Sequence, residues 1–437
     1  MNKLKTLSTI YLETLGCSKN QVDSDRIERY LHAQGFISVP LDQAEIILLN
    51  TCGFIQAAVE ESIERILELA DYKQQSAQML IMMGCLTQRY QTVLEHELPE
   101  VDLFIGTGYL EELAEIIHHP TRRVYLDQRD APETGLHFPL ASSPSYSYLK
   151  IAEGCDNFCS YCIIPQLRGR FRSRSIDSLV REAEEVASKG IKELILIAQD
   201  TARFGMDTDQ GNLLDLLRAL HDVSGIEWIR MQYLYPDTLD RAFFESIAQL
   251  PKVVPYFDIP IQHAANSVLK RMNRHTSKEH LIDLIRTARD VLPDAVLRTT
   301  AIVGFPGETP AEFDELMSFI QEHPFDKLGA FIYSDEEESA SFKLPNKIDQ
   351  ATKQDRLDRL MRKQEQISHD RLQRFLGQTL DVMVDVGGIN PVGRTRYDAP
   401  EVDGVVDIRT NKRLAKGSIV KVRITDCSEH DLVGEVI

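Results

Sequence analysis

The feature that most constrains the fold of this chain is a repeated alternation of short apolar runs with amphipathic helical segments. Near the N-terminus four such apolar runs occur, at residues 8–17, 44–54, 79–85 and 102–108. Parallel strands need crossover connections, usually helices, so this alternation is typical of a parallel sheet flanked by helices. We predict an N-terminal parallel α/β domain over residues 1–140, ending in a Pro- and Ser-containing linker near 137–145.

The alternation continues through the middle of the chain with six further units. Their apolar runs lie at 146–154, 193–200, 228–236, 253–262, 295–307 and 327–334. Six units are too few for a closed eight-stranded barrel and too many for a simple nucleotide-binding fold. They favour an open, partial (β/α)6 barrel in a central domain over residues 141–370, which ends in a long charged helix.

The remainder of the chain, 371–437, has a different pattern. Short alternating strands are separated by turns with Gly and Asp, and they lie at 378–386, 402–409, 418–425 and 432–437. This pattern indicates a small antiparallel β-barrel. The predicted fold class is therefore α/β, with a β-barrel at the C-terminus.

Composition favours a soluble, cytoplasmic protein without a membrane partner. The first residues lack an apolar run of signal-peptide length, and no run is long enough to span a bilayer. In a reducing compartment, cysteines are more often metal ligands or catalysts than disulfides. The formal net charge of −18 argues against a broad electrostatic grip on nucleic acid and favours a basic partner.

Three of the seven cysteines, Cys155, Cys159 and Cys162, lie within eight positions of one another, in EGCDNFCSYCIIP. A structural zinc site needs four ligands, and neither another Cys nor a His is near. An iron–sulfur cubane is ordinarily held by four thiolates, so three leave one iron open to a small molecule. The cluster also follows the first strand of the predicted partial barrel, where such barrels carry their chemistry. The alternative is three buried cysteines on an ordinary loop.

The spacing CxxxCxxC resembles the radical-SAM signature, in which the open iron binds the amino and carboxylate groups of S-adenosylmethionine. In that superfamily an electron from the cluster cleaves the sulfonium, and the adenosyl radical removes an unactivated hydrogen. The resemblance implies that Tyr161 lies against the adenine.

A second stretch, VGFPGET, resembles the Gly-Pro-Gly-Glu element that lines the cofactor in this superfamily. Gly304 and Gly307 would let the backbone approach a ligand closely, and Glu308 could accept from an amine or hydroxyl. Taken alone, the stretch is equally consistent with an ordinary turn. Further candidates for the same cavity, at the ends of other predicted strands, are Gln199, Asp200 and Gln262.

A second set of cysteines, Cys17, Cys52 and Cys85, is dispersed in sequence, but each ends an apolar run and precedes a helical segment. Strand C-termini of a parallel sheet share one edge, so these side chains can converge, beside helix N-termini that favour an anionic cluster. The alternative is buried packing residues. Two sets of three cysteines predict two cubane clusters. A single radical step needs only one cluster, so the second suggests that an atom is delivered to the substrate, and sulfur is the obvious one.

From end to end the chain resembles the methylthiotransferase family: an N-terminal three-cysteine domain, a radical-SAM core and a TRAM-type barrel. The resemblance implies two 4Fe-4S clusters, one S-adenosylmethionine for the radical and another for the methyl group. It also implies an electron donor and a sulfur donor as partners. The net reaction of the family replaces C–H by C–S–CH₃.

Within this family the motifs resemble the RimO branch, which modifies an aspartate β-carbon of the small-subunit ribosomal protein numbered twelve. TLGCSKNQVDSD, CIIPQLRGRFRSR and DAPEVDG match elements of that branch, whereas YSDEEESAS departs from the expected Pro and Gly-Thr pattern. The other branch modifies an isopentenyl-adenosine in transfer RNA. Remaining alternatives are a non-catalytic iron–sulfur carrier and a zinc-dependent RNA-binding module.

Charge supports a protein substrate over transfer RNA. Residues 1–140 contain 11 Lys and Arg against 21 Asp and Glu, and residues 378–437 contain 8 against 10. A barrel that binds transfer RNA should be basic, whereas a basic ribosomal protein would be attracted to an acidic face. The basic run RGRFRSR is the counterexample, although cofactor carboxylates or internal acidic partners would explain it equally well.

Overall fold

The computed structural model describes residues 8–75, 77–126, 143 and 145–437, and it divides into two compact units. Unit 1 consists of the described residues before 141 with Glu153–Asp156 and Ile163–Arg172, and unit 2 consists of the others. The boundary predicted between residues 140 and 141, and most of its linker, lie outside the described residues. The boundary at residue 370 stays a prediction.

Unit 1 is built on a parallel sheet of strand order β2-β1-β3-β4-β5-β6. Its strands are β1 Thr9–Thr14, β2 Ile37–Ser38, β3 Ile46–Thr51, β4 Met79–Gly84, β5 Leu103–Ile105 and β6 Val124–Tyr125. Its helices are α1 Ser18–Ala33, α2 Gln56–Gln75, α3 Cys85–Tyr90, α4 Thr92–Glu97, α5 Leu113–His118 and α6 Ile164–Arg168. The four predicted runs are confirmed as strands. The edge strands β2 and β6 have no counterpart among them, because a two-residue strand has no periodicity to detect.

Strand β3 shows why this sheet lies in the interior of unit 1. All six of its residues are buried. Ile46 and Leu48 pack into one hydrophobic core, and Ile47 and Leu49 pack into another. Because successive side chains point to opposite faces, helices must cover both faces, as the continuous apolar run predicts.

Unit 2 contains a second parallel sheet, of order β14-β13-β12-β11-β10-β7. All six predicted runs form its strands, β7 Tyr146–Lys150, β10 Glu193–Ile197, β11 Trp228–Met231, β12 Val253–Asp258, β13 Val296–Val303 and β14 Lys327–Ile332. Between β7 and β10 in sequence, β8 Ala152–Glu153 and β9 Arg172–Ser173 form a two-stranded ribbon. The helices are α7 Ile176–Ser188, α8 Leu213–His221, α9 Arg241–Ala248, α10 Asn266–Arg271, α11 Lys278–Val291, α12 Pro310–Glu322 and α13 Gln350–Leu372. In the described part of the chain, no helix has the length and apolar character needed to cross a membrane.

The C-terminal part of unit 2 is a closed five-stranded barrel of order β15-β16-β17-β19-β18. Its strands are β15 Thr379–Val386, β16 Val392–Thr395, β17 Val406–Arg409, β18 Ile419–Cys427 and β19 Leu432–Val436. Four of them confirm the predicted strands. The additional strand, β16, contains a single aliphatic residue, Val392, so no apolar alternation indicates it.

Within unit 2 the barrel bonds to the amino-terminal part of the sheet. The DAPEVDG stretch of the barrel supplies three carboxylates, which we call the acidic clasp. They pair with residues of the sheet strands: Asp398 with Lys327 at 2.6 Å, Glu401 with Tyr146 at 2.7 Å and Asp403 with Tyr256 at 2.7 Å. Tyr146 and Lys327 are the first residues of their strands. The barrel therefore lies at the amino-terminal edge of the sheet. The candidate site residues lie at the opposite edge, where the strands end.

Candidate functional site

Cys17, Cys52 and Cys85 lie at the carboxyl edge of the unit 1 sheet. Thr51 of β3 is the register partner of Gly84 of β4, so Cys52 and Cys85 leave neighbouring strands at the same level. Cys17 follows β1, which pairs with the other side of β3. Neighbouring strands are about 4.8 Å apart, so one small cluster can reach all three sulfurs.

Glycines allow the loops at this edge to approach one another. Gly16 has a φ of +95°, and a Cβ built on it would lie 2.6 Å from the Cβ of Cys52 and 3.1 Å from its sulfur. Gly84 has a φ of +96°, in the region that side chains disfavour. Both positions therefore require glycine for the cysteines to come together.

The interior side of this site is apolar. Cys85 is 6% exposed and packs with Phe54, Ile163 and Leu167. Burial raises the pKa of Cys85 to about 11, the nearby Arg168 opposes that shift, and charge on Cys52 or Cys17 adds to it. Burial likewise raises the pKa of Cys52. Such thiols ionise when a metal displaces the proton.

A polar network borders the same cysteines. The Asn20 amide donates to the carbonyls of Leu15 and Thr51, at 2.9 and 3.1 Å, and its Oδ1 accepts from Arg168 at 2.7 Å. Arg168 also lies 3.2 Å from the Cys85 sulfur. Sequence reasoning did not single out Asn20 or Arg168, although they fall inside the quoted motifs TLGCSKNQVDSD and CIIPQLRGRFRSR.

The other cysteine set lies on the loop after β7. Cys155 groups with unit 1 and donates its N–H to the Gly169 carbonyl at 3.3 Å, whereas Cys159 and Cys162 group with unit 2. The eight-residue span from Cys155 to Cys162 keeps the three cysteines close in the chain. Cys162 donates its N–H to the Cys159 carbonyl at 3.0 Å, so these two occupy one tight turn.

In unit 2, Cys159 is 9% exposed and lies beside a second buried arginine. The Arg274 guanidinium is 4.0 Å from the Cys159 sulfur and stacks on Tyr235, 4.0 Å from the ring centroid. Burial, reinforced by the neighbouring cysteine thiols, raises the pKa of Tyr161. The segment after α10 therefore supports the loop, a contribution that sequence reasoning missed because it is more than 100 residues away.

Asp200 connects the end of β10 to the cysteine loop. Its carboxylate accepts from Asn157 Nδ2 at 2.7 Å and pairs with Arg203 at 3.2 Å. Burial raises the pKa of Asp200, and the hydrogen bond from Asn157 opposes that shift. Gln199 precedes it in the chain, so both candidates lie on the strand edge that carries the loop.

Gln262 lies at the same edge in a strained conformation. Its φ is +67°, and its backbone bonds to Thr300 and Ile302 of β13, each at 2.8 Å. Its buried Oε1 has no hydrogen-bond partner among the described residues. Strain and an unpaired buried amide oxygen are common at ligand sites, which favours the predicted role of Gln262.

The GFPGE turn after β13 is braced by its own glutamate. The Glu308 carboxylate is 1% exposed, accepts the N–H groups of Gly304 and Phe305, and lies 3.3 Å from Arg356. A side chain at Gly304 would collide with Lys353 of α13. Glu308 thus has partners within its own chain, and its predicted contact with a ligand stays a prediction, as does that of Gly307.

Among the described residues, no group of three or more His, Cys, Asp or Glu side chains is placed to hold one metal ion. An iron–sulfur cluster is held by cysteine thiolates and needs several of them at one place. The convergence of Cys17, Cys52 and Cys85 at one sheet edge, with an apolar wall behind Cys85, fits that requirement.

Models of three known families match successive parts of the chain. The Radical SAM superfamily matches residues 149–320, an uncharacterized protein family, UPF0004, matches residues 9–106, and the TRAM domain matches residues 376–437. These segments correspond to the radical-SAM core, the three-cysteine domain and the barrel.

Similar proteins extend over nearly the whole chain. It is 42% identical over 443 residues to "Ribosomal protein uS12 methylthiotransferase RimO" of Clostridioides difficile (strain 630), covering 98% of both chains. The protein of the same name from Thermotoga maritima is 42% identical over 433 residues, covering 98% of this chain and 99% of that one. The chain belongs to the RimO family of radical-SAM methylthiotransferases. Membership of the RimO family confirms the predicted family and enzyme class.

Solved structures support the fold of the RimO-family chain. Radical S-adenosylmethionine methyltransferase TsrM from Kitasatospora setae has a TM-score of 0.56 at 15% identity, covering 75% of this chain and 72% of that one. The cobalamin-dependent radical enzyme OxsB has a TM-score of 0.52 at 14% identity, covering 83% and 56%. At this identity the likeness concerns the fold alone, and it confirms the radical-SAM architecture.

Proposed function

We propose that this protein methylthiolates the β-carbon of an aspartate in ribosomal protein uS12. The observation that carries the proposal is the convergence of three cysteines at one sheet edge, in a chain that also has CxxxCxxC and matches RimO proteins over 98% of its length. The enzyme uses two 4Fe-4S clusters and S-adenosylmethionine, which together supply the electron, the hydrogen-abstracting radical and the methyl group. An iron–sulfur carrier would not need these features.

We assign the radical cluster to Cys155, Cys159 and Cys162, and the auxiliary cluster to Cys17 and its two partners at the sheet edge. In each set one cysteine is buried and another is more exposed. The buried side excludes water, and the accessible side leaves room for the open iron and its ligand. The auxiliary site is the place for the sulfur that enters the C–S bond.

The choice of substrate depends on charge as well as on family. The acidic N-terminal domain suits a basic ribosomal protein. The net charge of the barrel is a weak guide to its choice between protein and RNA, because the three carboxylates of the acidic clasp bond to the sheet. Residues 409–423 contain six Lys and Arg and no acidic residue. This basic strip is the observation that favours the transfer-RNA alternative.

The reaction requires partners that the chain itself does not supply. A reducing electron donor must prepare the radical cluster, and a sulfur donor must restore the sulfur that leaves with the product. Because the proposed substrate is a ribosomal protein, we also propose a cytoplasmic location. These partners and this location are part of the proposal.

The decisive experiment is anaerobic reconstitution with uS12 or with small ribosomal subunits, followed by mass spectrometry of the peptides. We expect one methylthio group on an aspartate. Cys159→Ala should abolish cleavage of S-adenosylmethionine, because the radical cluster loses a ligand. Cys52→Ala should retain cleavage but give no methylthio product. Methylthiolated transfer RNA with unmodified uS12 would support the alternative, and full methylthiolation by Cys52→Ala would refute the division between the clusters.

A further inference from the structure

Arg168 is a buried cation at the end of α6, in unit 1, with an unusual set of neighbours. Its guanidinium is 2.6 Å from Asp23 and 3.5 Å from Glu153, and its residue exposure is 6%. The same group donates from Nη2 to Asn20 Oδ1 at 2.7 Å and lies 3.2 Å from the Cys85 sulfur. One side of the guanidinium thus faces carboxylates and the other faces a cysteine.

The two carboxylates account for the burial of the charge but not for its orientation. Both bond to Nη1, which leaves Nη2 to the amide of Asn20 and the sulfur of Cys85. A neutral thiol is a weak acceptor, whereas a thiolate in apolar surroundings attracts a guanidinium strongly. Arg168 is therefore placed to donate to the Cys85 sulfur once that thiol has lost its proton to a bound cluster.

We propose that Arg168 is a positioning residue of the auxiliary cluster site, holding the Cys85 sulfur by a hydrogen bond and offsetting its negative charge. This inference depends on the proposed function, in which Cys85 is a cluster ligand. Asp23 and Asn20 fix the guanidinium, so the chain presents the donor before any cluster binds.

The physical consequence is a change in cluster retention and in reduction potential. Hydrogen bonds to sulfur and nearby positive charge favour the more negative, reduced state of an iron–sulfur cluster, so they raise its potential. Removing Arg168 should lower the potential. Loss of an outer-shell partner of a metal ligand typically weakens metal binding about 10- to 100-fold.

The test uses the full-length chain with Cys155, Cys159 and Cys162 all replaced by Ala, so that any cluster present is auxiliary. Arg168→Gln is added to this background, and Arg170→Gln is the matched control, since Arg170 is 73% exposed and pairs with Asp156. Iron and sulfide per chain, the rate of iron loss to a chelator, and the midpoint potential from an EPR-monitored titration are measured.

We expect Arg168→Gln to lose iron about 10- to 100-fold faster and to have a more negative midpoint, with the control unchanged. If Arg168→Gln does not fold, Arg168→Lys replaces it, because Lys keeps the positive charge. We expect Arg168→Lys to have a midpoint potential close to that of the background protein but an altered EPR spectrum. If the variants that fold had the same midpoint potential and EPR spectrum as the background protein, the proposed role of Arg168 would be overturned. A background protein that binds no cluster would refute the ligand assignment itself, and this role with it.

Discussion

The charge cluster of the buried Glu193, Arg230 and Arg394 with the partly exposed Asp385 allows a quantitative stability prediction. Glu193 accepts from Arg230 Nε at 2.8 Å and pairs with Arg394 through its other oxygen, while Asp385 is 2.9 Å from Arg394. The side chains of Glu193 and Arg230 are fully buried. Two carboxylates balance two guanidinium groups, so Glu193→Gln leaves a net positive charge in the interior. Breaking a buried ion pair in this way costs about 3–5 kcal/mol.

Trp228 provides the assay, because it is the sole tryptophan and lies beside this cluster. It is the register partner of Glu193 and packs in the hydrophobic core shared with barrel residues Val382 and Val422. In urea titrations of the full-length apoprotein followed by Trp fluorescence, we expect Glu193→Gln to lower the free energy of unfolding by about 3–5 kcal/mol.

Asp381→Asn is the matched control for this variant. It removes an exposed ion pair with Lys421, of length 3.0 Å, and such pairs contribute at most about 1 kcal/mol. If Glu193→Gln changed stability no more than this control, the carboxylate could not be what neutralises the two arginines.

Two further predictions concern the cysteine edge and pH. Gly16→Ala should lower iron binding more than Gly35→Ala, because both glycines have φ above +90° but a Cβ at Gly35 meets nothing within 4 Å; equal losses would exclude the clash with Cys52. Burial raises the pKa of Glu312, but hydrogen bonds from Arg271 and neighbouring groups outweigh it and lower the value to about 2. The stabilisation is present above pH 4.5 and is lost as the pH falls towards 2. Solvent screening of this partly exposed pair keeps it well below the roughly 3 kcal/mol that the pKa shift alone would give. Glu312→Gln should flatten the urea midpoint across this range, and an unchanged slope would contradict the assignment.

The strands could be predicted where a local pattern exists. The apolar run at 44–54 and the run at 193–200 are confirmed as β3 and β10, because a strand buried on both faces needs apolar residues throughout. Strand β16 and the edge strands β2 and β6 could not be predicted, since long-range pairing alone decides them. The DAPEVDG stretch carries a family motif, but only the structure shows that its carboxylates bond to the sheet.

The sequence by itself determined the fold class and the two cysteine sets, because periodicity and spacing act over a few residues and strand ends are visible in the chain. Only the tertiary structure decided which side chains surround the cysteines. Arg168 is 83 residues from Cys85, and Arg274 is 115 residues from Cys159. Such contacts depend on how helices and strands pack in three dimensions. An unpaired charge in the low-dielectric interior is strongly destabilising, so the packed structure surrounds each buried charge with partners.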